Sequence, residues 1–214
     1  HARMKRILLI NASPRTKGTS VLLARMCADY LAEREHDADL IHLYPALKDP
    51  EGLCRTVHAA DILIVSGPCY INTYPADVIA MMELLSAHRE ILEGKSIYGI
   101  IQGGMPYPHT HESGLNSLRI FAEKCGMNYK GGFVMGMGPL VDGKQLSVLP
   151  HSRKILRQLN QFFRCVEREA EAPASLYEKA QLRLPVFVFR IMAAAVNRKI
   201  DQDLKKLQQQ IKAE

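Results

Sequence analysis

No CxxC pair occurs in this chain of 214 residues, and its five cysteines are an odd number: Cys27, Cys54, Cys69, Cys125 and Cys165. That argues against a disulfide scaffold or a zinc site and points to a reducing, cytoplasmic compartment. A membrane-length apolar run is missing too. The most prominent stretch, LPVFVFRIMAAAV (residues 184–196), is short for a bilayer and is interrupted by Arg190. No stable membrane insertion is expected, and no secretory signal is seen ahead of the first strand; His1, Ala2 and Arg3 read as a remnant and are set aside. RRM, helix-turn-helix and zinc-finger patterns are absent. A net charge of +6 and a pI of about 9.1 therefore allow an anionic ligand without indicating nucleic acid. His109, His111 and Glu112 stand close together with no further ligand group. We read them as an exposed substrate-side loop, not a metal site.

What is present is the composition of a globular domain, with 47% hydrophobic and 23% charged residues. Apolar runs at 5–10, 37–44, 60–68, 96–104 and 131–138 read as strands. Between and after them, helical spacing marks segments from Val21, around Leu53 to Ala59, from Pro75 to about Leu92, from Leu115 to Cys125, and from Ile155 to Val166. Five strands alternating with helices imply an α/β three-layer sandwich whose parallel sheet has the order 2-1-3-4-5. The composition changes at EAEAPAS (169–175). The expected division is a domain at 4–170 and a helical extension at 171–214, in which Ile200, Leu204, Leu207 and Ile211 form a narrow apolar seam. The extension reads as part of the interface of a homodimer or higher homo-oligomer or as a helix packed on its own domain, with peripheral membrane contact by this basic helix as a third reading.

Three unusual loops follow strands one, three and four, which puts them at one sheet edge. NASPRTKGTS (11–20) combines the hydroxyls of Ser13, Thr19 and Ser20, the cations Arg15 and Lys17, and Gly18 ahead of a helix start. Such a start attracts a phosphate, although Thr19 or Ser20 could also be a plain N-cap. Neither GxxxxGK[ST] nor GxGxxG is present, so neither a triphosphate loop nor a standard dinucleotide loop is indicated. GPCYINTYP (67–75) offers Tyr70 between Pro68 and Pro75, and QGGMPYPHTH (102–111) offers Gly103 and Gly104, which admit a ligand edge.

ASPRTKGTS, SGPCYINTYPADV and IQGGMPY, in that order, resemble the three cofactor loops of flavodoxin-fold NAD(P)H-dependent FMN reductases and quinone reductases. The resemblance covers roughly residues 5–168. Ala12 and Thr19 replace that family's usual Gly and Asn, and the cysteine cluster of related iron–sulfur flavoproteins is missing. The resemblance implies FMN as cofactor, with its phosphate at Ser13, Arg15, Thr19 and Ser20 beside Lys17 and Gly18. It implies that Pro68, Cys69, Tyr70, Ile71 and Asn72 line the flavin ring, and that Gln102, Gly103 and Gly104, with Met105 and Tyr107, close its far side. NADH or NADPH would be the co-substrate and a small molecule the acceptor. No residue is then required as general acid or base, and Cys69 reads as a packing residue. A flavodoxin-like electron carrier and a non-catalytic flavodoxin-fold protein remain as alternatives.

Overall fold

The computed structural model describes residues 4–69, 76–104, 111–149, 151–181 and 185–213. Tyr70, Ile71, Asn72, Met105 and Tyr107, as well as His109, lie outside them.

Five parallel strands, β1 (Arg6–Asn11), β2 (Asp37–His42), β3 (Ile62–Pro68), β4 (Ser96–Gln102) and β5 (Asn128–Met135), form one sheet in the order β2-β1-β3-β4-β5. This is the flavodoxin-like topology. Ile7 to Ile10 of β1 and the whole of β3 are buried, as a sheet covered on both faces requires. The helices α1 (Thr19–Ala32), α2 (Leu43–Ala46), α3 (Pro50–Ala59), α4 (Ala76–Ser86), α5 (Ser113–Lys124), α6 (Gly138–Val141), α7 (Ser152–Glu167) and α8 (Ser175–Ala180) pack with this sheet. On one face α1 lies against α7, and the Tyr30 and Phe163 rings meet at 5.6 Å between centroids. On the other, α4 packs against α5.

Some boundaries move from those read in the sequence, for local reasons. β2 stops at His42, and the segment expected to finish it turns into α2. β5 begins at Asn128, three residues early, because a register shift opposite Ile97–Gly99 takes in an extra residue at Lys130–Gly131. Gly131 has φ +96, a backbone conformation that side-chain-bearing residues rarely adopt. Beside it, Ala172 N donates to Lys130 O at 2.7 Å and forms a parallel bridge with Gly131.

The compact unit runs to Gln181, so residues 171–181 belong with the sheet domain and not with the extension. Tyr177 of α8 is buried, packs edge-on against Phe133 at 6.4 Å, and donates to Glu112 Oε1 at 3.0 Å. The second unit holds the helix α9 (Val186–Ala213), on which Phe187, Ile191 and Leu204 are exposed. The side chains of Ile200, Leu207 and Ile211 lie outside the description.

Candidate functional site

Strand register brings the three loops together. Asn11 at the end of β1 pairs with Ser66 of β3, and Pro68 pairs with Gln102 at the end of β4. Backbone bonds continue the alignment past the strands: Ala12 N donates to Ser66 O at 2.7 Å and Cys69 N to Gln102 O at 2.9 Å. Their C-terminal ends are where ligands bind in open parallel sheets.

The first loop is shaped by Asn11. Its Oδ1 accepts from Ser13 N at 3.2 Å, its Nδ2 donates to Arg15 O at 3.2 Å, and Ser13 Oγ accepts from Arg15 N at 3.2 Å. Gly18 is the N-cap of α1, with φ −121 and ψ −175 and no side-chain capping bond. This corrects the alternative in which Thr19 or Ser20 caps the helix: both lie inside its first turn. The Gly18 backbone is extended, and an added Cβ would meet only Arg15 Cβ at 3.5 Å, an ordinary contact.

Without a cap, no described residue accepts from the backbone N–H groups of Thr19, Ser20 or Val21. All three residues are buried. A buried helix start with open N–H groups and the positive end of the helix dipole is an anion cradle. The Ser13 hydroxyl, an acceptor from Arg15 N, keeps its own donor, and Arg15 and Lys17 in the same loop are exposed.

A fourth segment, which sequence reasoning missed, presses on this loop. It follows β5 and includes α6. Thr19 Oγ1 donates to Gly138 O at 2.7 Å and accepts from Gly143 N at 3.4 Å. Arg15 Nη2 pairs with Asp142 Oδ1 at 2.7 Å. Gly143 sits at φ +69, and a Cβ there would approach Lys17 O to 2.7 Å, so only glycine allows this closeness. The Asp142-Gly143 dipeptide, a turn signal, was the sequence feature that could have flagged it.

Gln102 links the first and third loops. Its Nε2 donates to Ser20 Oγ at 3.3 Å, and Ser66 Oγ donates to Ser20 O at 2.7 Å. Gln102 Oε1 is buried with no hydrogen-bond partner. Pro68 and Cys69 are buried, and Cys69 Sγ lies 3.8 Å from Ser113 Oγ. Gly103 is buried and Gly104 exposed. His111 corrects the exposed-loop reading: it is 5% exposed, and its imidazole covers Gly103 where a Cβ would stand. Glu112 is tied to Tyr177, as described above. Among the described residues no group of three His, Cys, Asp or Glu side chains could hold a metal ion.

The structure thus gathers Ser13, Arg15, Lys17, Gly18, Thr19, Ser20, Pro68, Cys69, Gln102, Gly103 and Gly104 on one edge.

Comparison with known proteins gives three findings. The family model described as NADPH-dependent FMN reductase matches residues 5–136. A search of curated proteins finds no match. Among solved structures, the chain is similar to an NADH:FMN oxidoreductase in its apo form, at 20% identity and a TM-score of 0.60 over 81% of this chain and 94% of that one. It is similar to an NAD(P)H:quinone oxidoreductase from Methanothermobacter marburgensis, at 14% identity and a TM-score of 0.60 over 77% and 97%. A Streptococcus pneumonia flavodoxin aligns at 17% identity and a TM-score of 0.54, over 77% and 99%. At these identities the structural likenesses speak for the fold.

Proposed function

The chain belongs to the NADPH-dependent FMN reductase family, an FMN-dependent oxidoreductase drawing on NAD(P)H, and we propose that it passes the electrons to a small acceptor: a free flavin, a quinone, or a nitro or azo compound. The single observation that carries the assignment of the site is the uncapped, buried start of α1 with three open N–H groups.

The residues fit FMN. Open N–H groups of Thr19, Ser20 and Val21, the hydroxyls of Ser13 and Ser20 and the charge of Arg15 and Lys17 suit a phosphate monoester. The partnerless end of the Gln102 amide suits a hydrogen-bonding ring edge held beside Gly103 and Gly104. Pro68 and Cys69, with Tyr70, Ile71, Asn72, Met105 and Tyr107, complete the ring site in this proposal. Bound FMN supplies the redox chemistry, exchanging hydride with the nicotinamide and electrons with the acceptor. The protein then has to bind, orient and exclude water, and no side chain is assigned a proton-transfer role.

Two further parts belong to the proposal. A second copy would cover Phe187, Ile191 and Leu204 on α9, giving a homodimer; light scattering on the purified protein tests this. All five cysteines are unpaired, which supports a cytoplasmic setting.

The deciding experiment is to purify the protein, add FMN and follow flavin absorbance while NADPH or NADH is added anaerobically. Rapid bleaching is expected. A bound flavin that neither nucleotide bleaches would assign the protein to electron carriage instead, and failure to bind FMN at all would overturn the site.

A further inference from the structure

The start of α7 and the end of α8 line an open concavity of about 660 Å³. Its charged lining is all of one sign: Arg153, Lys154 and Arg157 from α7 and Lys179 from α8, with His151 also in the lining. No carboxylate lines it, and none of the four Arg and Lys side chains pairs with a carboxylate among the described residues. Some cations elsewhere in this domain do have carboxylate partners, as in Arg6–Asp37, Arg15–Asp142 and Arg119–Glu123; what sets this group apart is that four converge on one concavity with no carboxylate in its lining. Ser152 and Gln158 add neutral hydrogen-bonding groups to the lining. Four unpaired cations converging on one concavity repel one another, and a bound anion would relieve that. α7 also places two cations and no acid in its first turn, against its own dipole.

The cavity's place narrows the ligand. Tyr30 and Phe163, which touch, each lie eleven residues into their helices, so α1 and α7 begin at the same level. Packed helices stand about 8–10 Å apart. The basic cavity therefore lies one helix to the side of the anion cradle at Thr19, on the same sheet edge. A dinucleotide with its nicotinamide over the flavin site would carry its adenosine end toward such a neighbour.

We propose that this cavity holds the 2′-phosphate of NADPH, so that Arg153, Lys154, Arg157 and Lys179 set the preference for the phosphorylated dinucleotide. The proposal rests on the reductase reading above, and a binding measurement separates the two. The probes are 2′,5′-ADP and 5′-AMP, titrated calorimetrically into wild type and the surface variant Arg153→Glu/Lys154→Glu, with Arg157→Ala as a milder second variant. Wild type should bind 2′,5′-ADP at least about tenfold more tightly than 5′-AMP, and the variants should lose that margin. In the FMN-loaded enzyme KM for NADPH should rise by about tenfold or more, with kcat and the KM for NADH unchanged.

Equal affinity of wild type for the two probes, or KM values for NADPH and NADH that move together, would overturn the proposal. So would a variant that loses retention on heparin yet keeps its 2′,5′-ADP affinity, since the cluster would then serve a polyanion. If 2′,5′-ADP binds as expected but neither nucleotide reduces the flavin, the phosphate site stands and the reductase reading falls.

Discussion

In the proposed site, Asp142 and the flavin phosphate would compete for the same guanidinium. Arg15 Nη2 is 2.7 Å from Asp142 Oδ1, and the two side chains are 62% and 50% exposed. A pair so open to water is worth about 0.2–1 kcal/mol. A charge-assisted contact from Arg15 to a phosphate is worth about 1.5–3 kcal/mol. Replacing Asp142 by Asn removes the competitor and suits the backbone, since Asp142 has φ 46 and Asn tolerates that left-handed region. Asp142→Asn should therefore tighten FMN binding by about two- to fivefold. Arg15→Ala should weaken it by roughly tenfold or more.

The informative variant is the double one. If Asp142 acts by occupying Arg15, Asp142→Asn should do nothing in the Arg15→Ala background. Titrating apoprotein into FMN and following quenching of flavin fluorescence gives all four affinities. The same gain with and without Arg15 would show that Asp142 merely repels the phosphate through space. Weaker binding in the single Asp142→Asn variant would mean that the segment after β5 supports the cofactor, and the competition argument would be refuted.

Three further outcomes are expected. Gly103→Ala should lower stability by about 1–3 kcal/mol, because its Cβ would enter the His111 ring; a thermal melt reads this, and adding His111→Ala should restore part of the loss. Gln102→Leu should leave the apoprotein within about 1 kcal/mol of wild type, as loss of the Ser20 bond is offset by relief of the partnerless amide end, while FMN affinity falls; an unchanged affinity would remove Gln102 from the site. Burial raises the hydroxyl pKa of Tyr98 and Tyr177 and pushes that of Tyr129 up to about 12. The unfolded chain ionises these groups near pH 10 and the folded chain only above that. Their contribution is thus intact below about pH 10 and is lost as pH rises toward the folded values, at up to about 1.4 kcal/mol per pH unit for each tyrosine. Urea unfolding between pH 8 and 11 should show the decline, and Tyr129→Phe should soften it.

The parallel sheet was legible because it depends on alternation, and 2-1-3-4-5 is a common order for five such strands: each buried run from Ile7 to Ile10, Ile62 to Pro68 and Ser96 to Gln102 is followed by helical spacing. The edge that carries the three loops follows from the same fact. What the sequence hid were contacts between distant residues. Arg15 and Asp142 stand 127 positions apart, and Thr19 and Gly138 119, so nothing local to either announces the pairing. The start of β5 was obscured because Gly131 and Gly132 dilute its apolar signal, and the glycines serve the bulge instead of a loop. His111 looked like one of several exposed histidines. Its burial depends on Gly103 having no side chain, a complementarity visible only once β4 and α5 are adjacent.

The short crossing of Ala172 over Lys130 and Gly131 has a consequence for how far the chain can be trimmed. β5 ends the sheet on one side, and an outermost strand offers bare N–H and C=O groups to any other chain that passes. Residues 171–173 lie along that margin, and α8 anchors them there through Tyr177. Cutting at the change of composition near 170 would strip this cover while leaving the sheet itself intact. Such a fragment should fold and then self-associate edge to edge, whereas one ending at Gln181 should stay dispersed. Residues 171–181 thus act as a guard strip for the sheet.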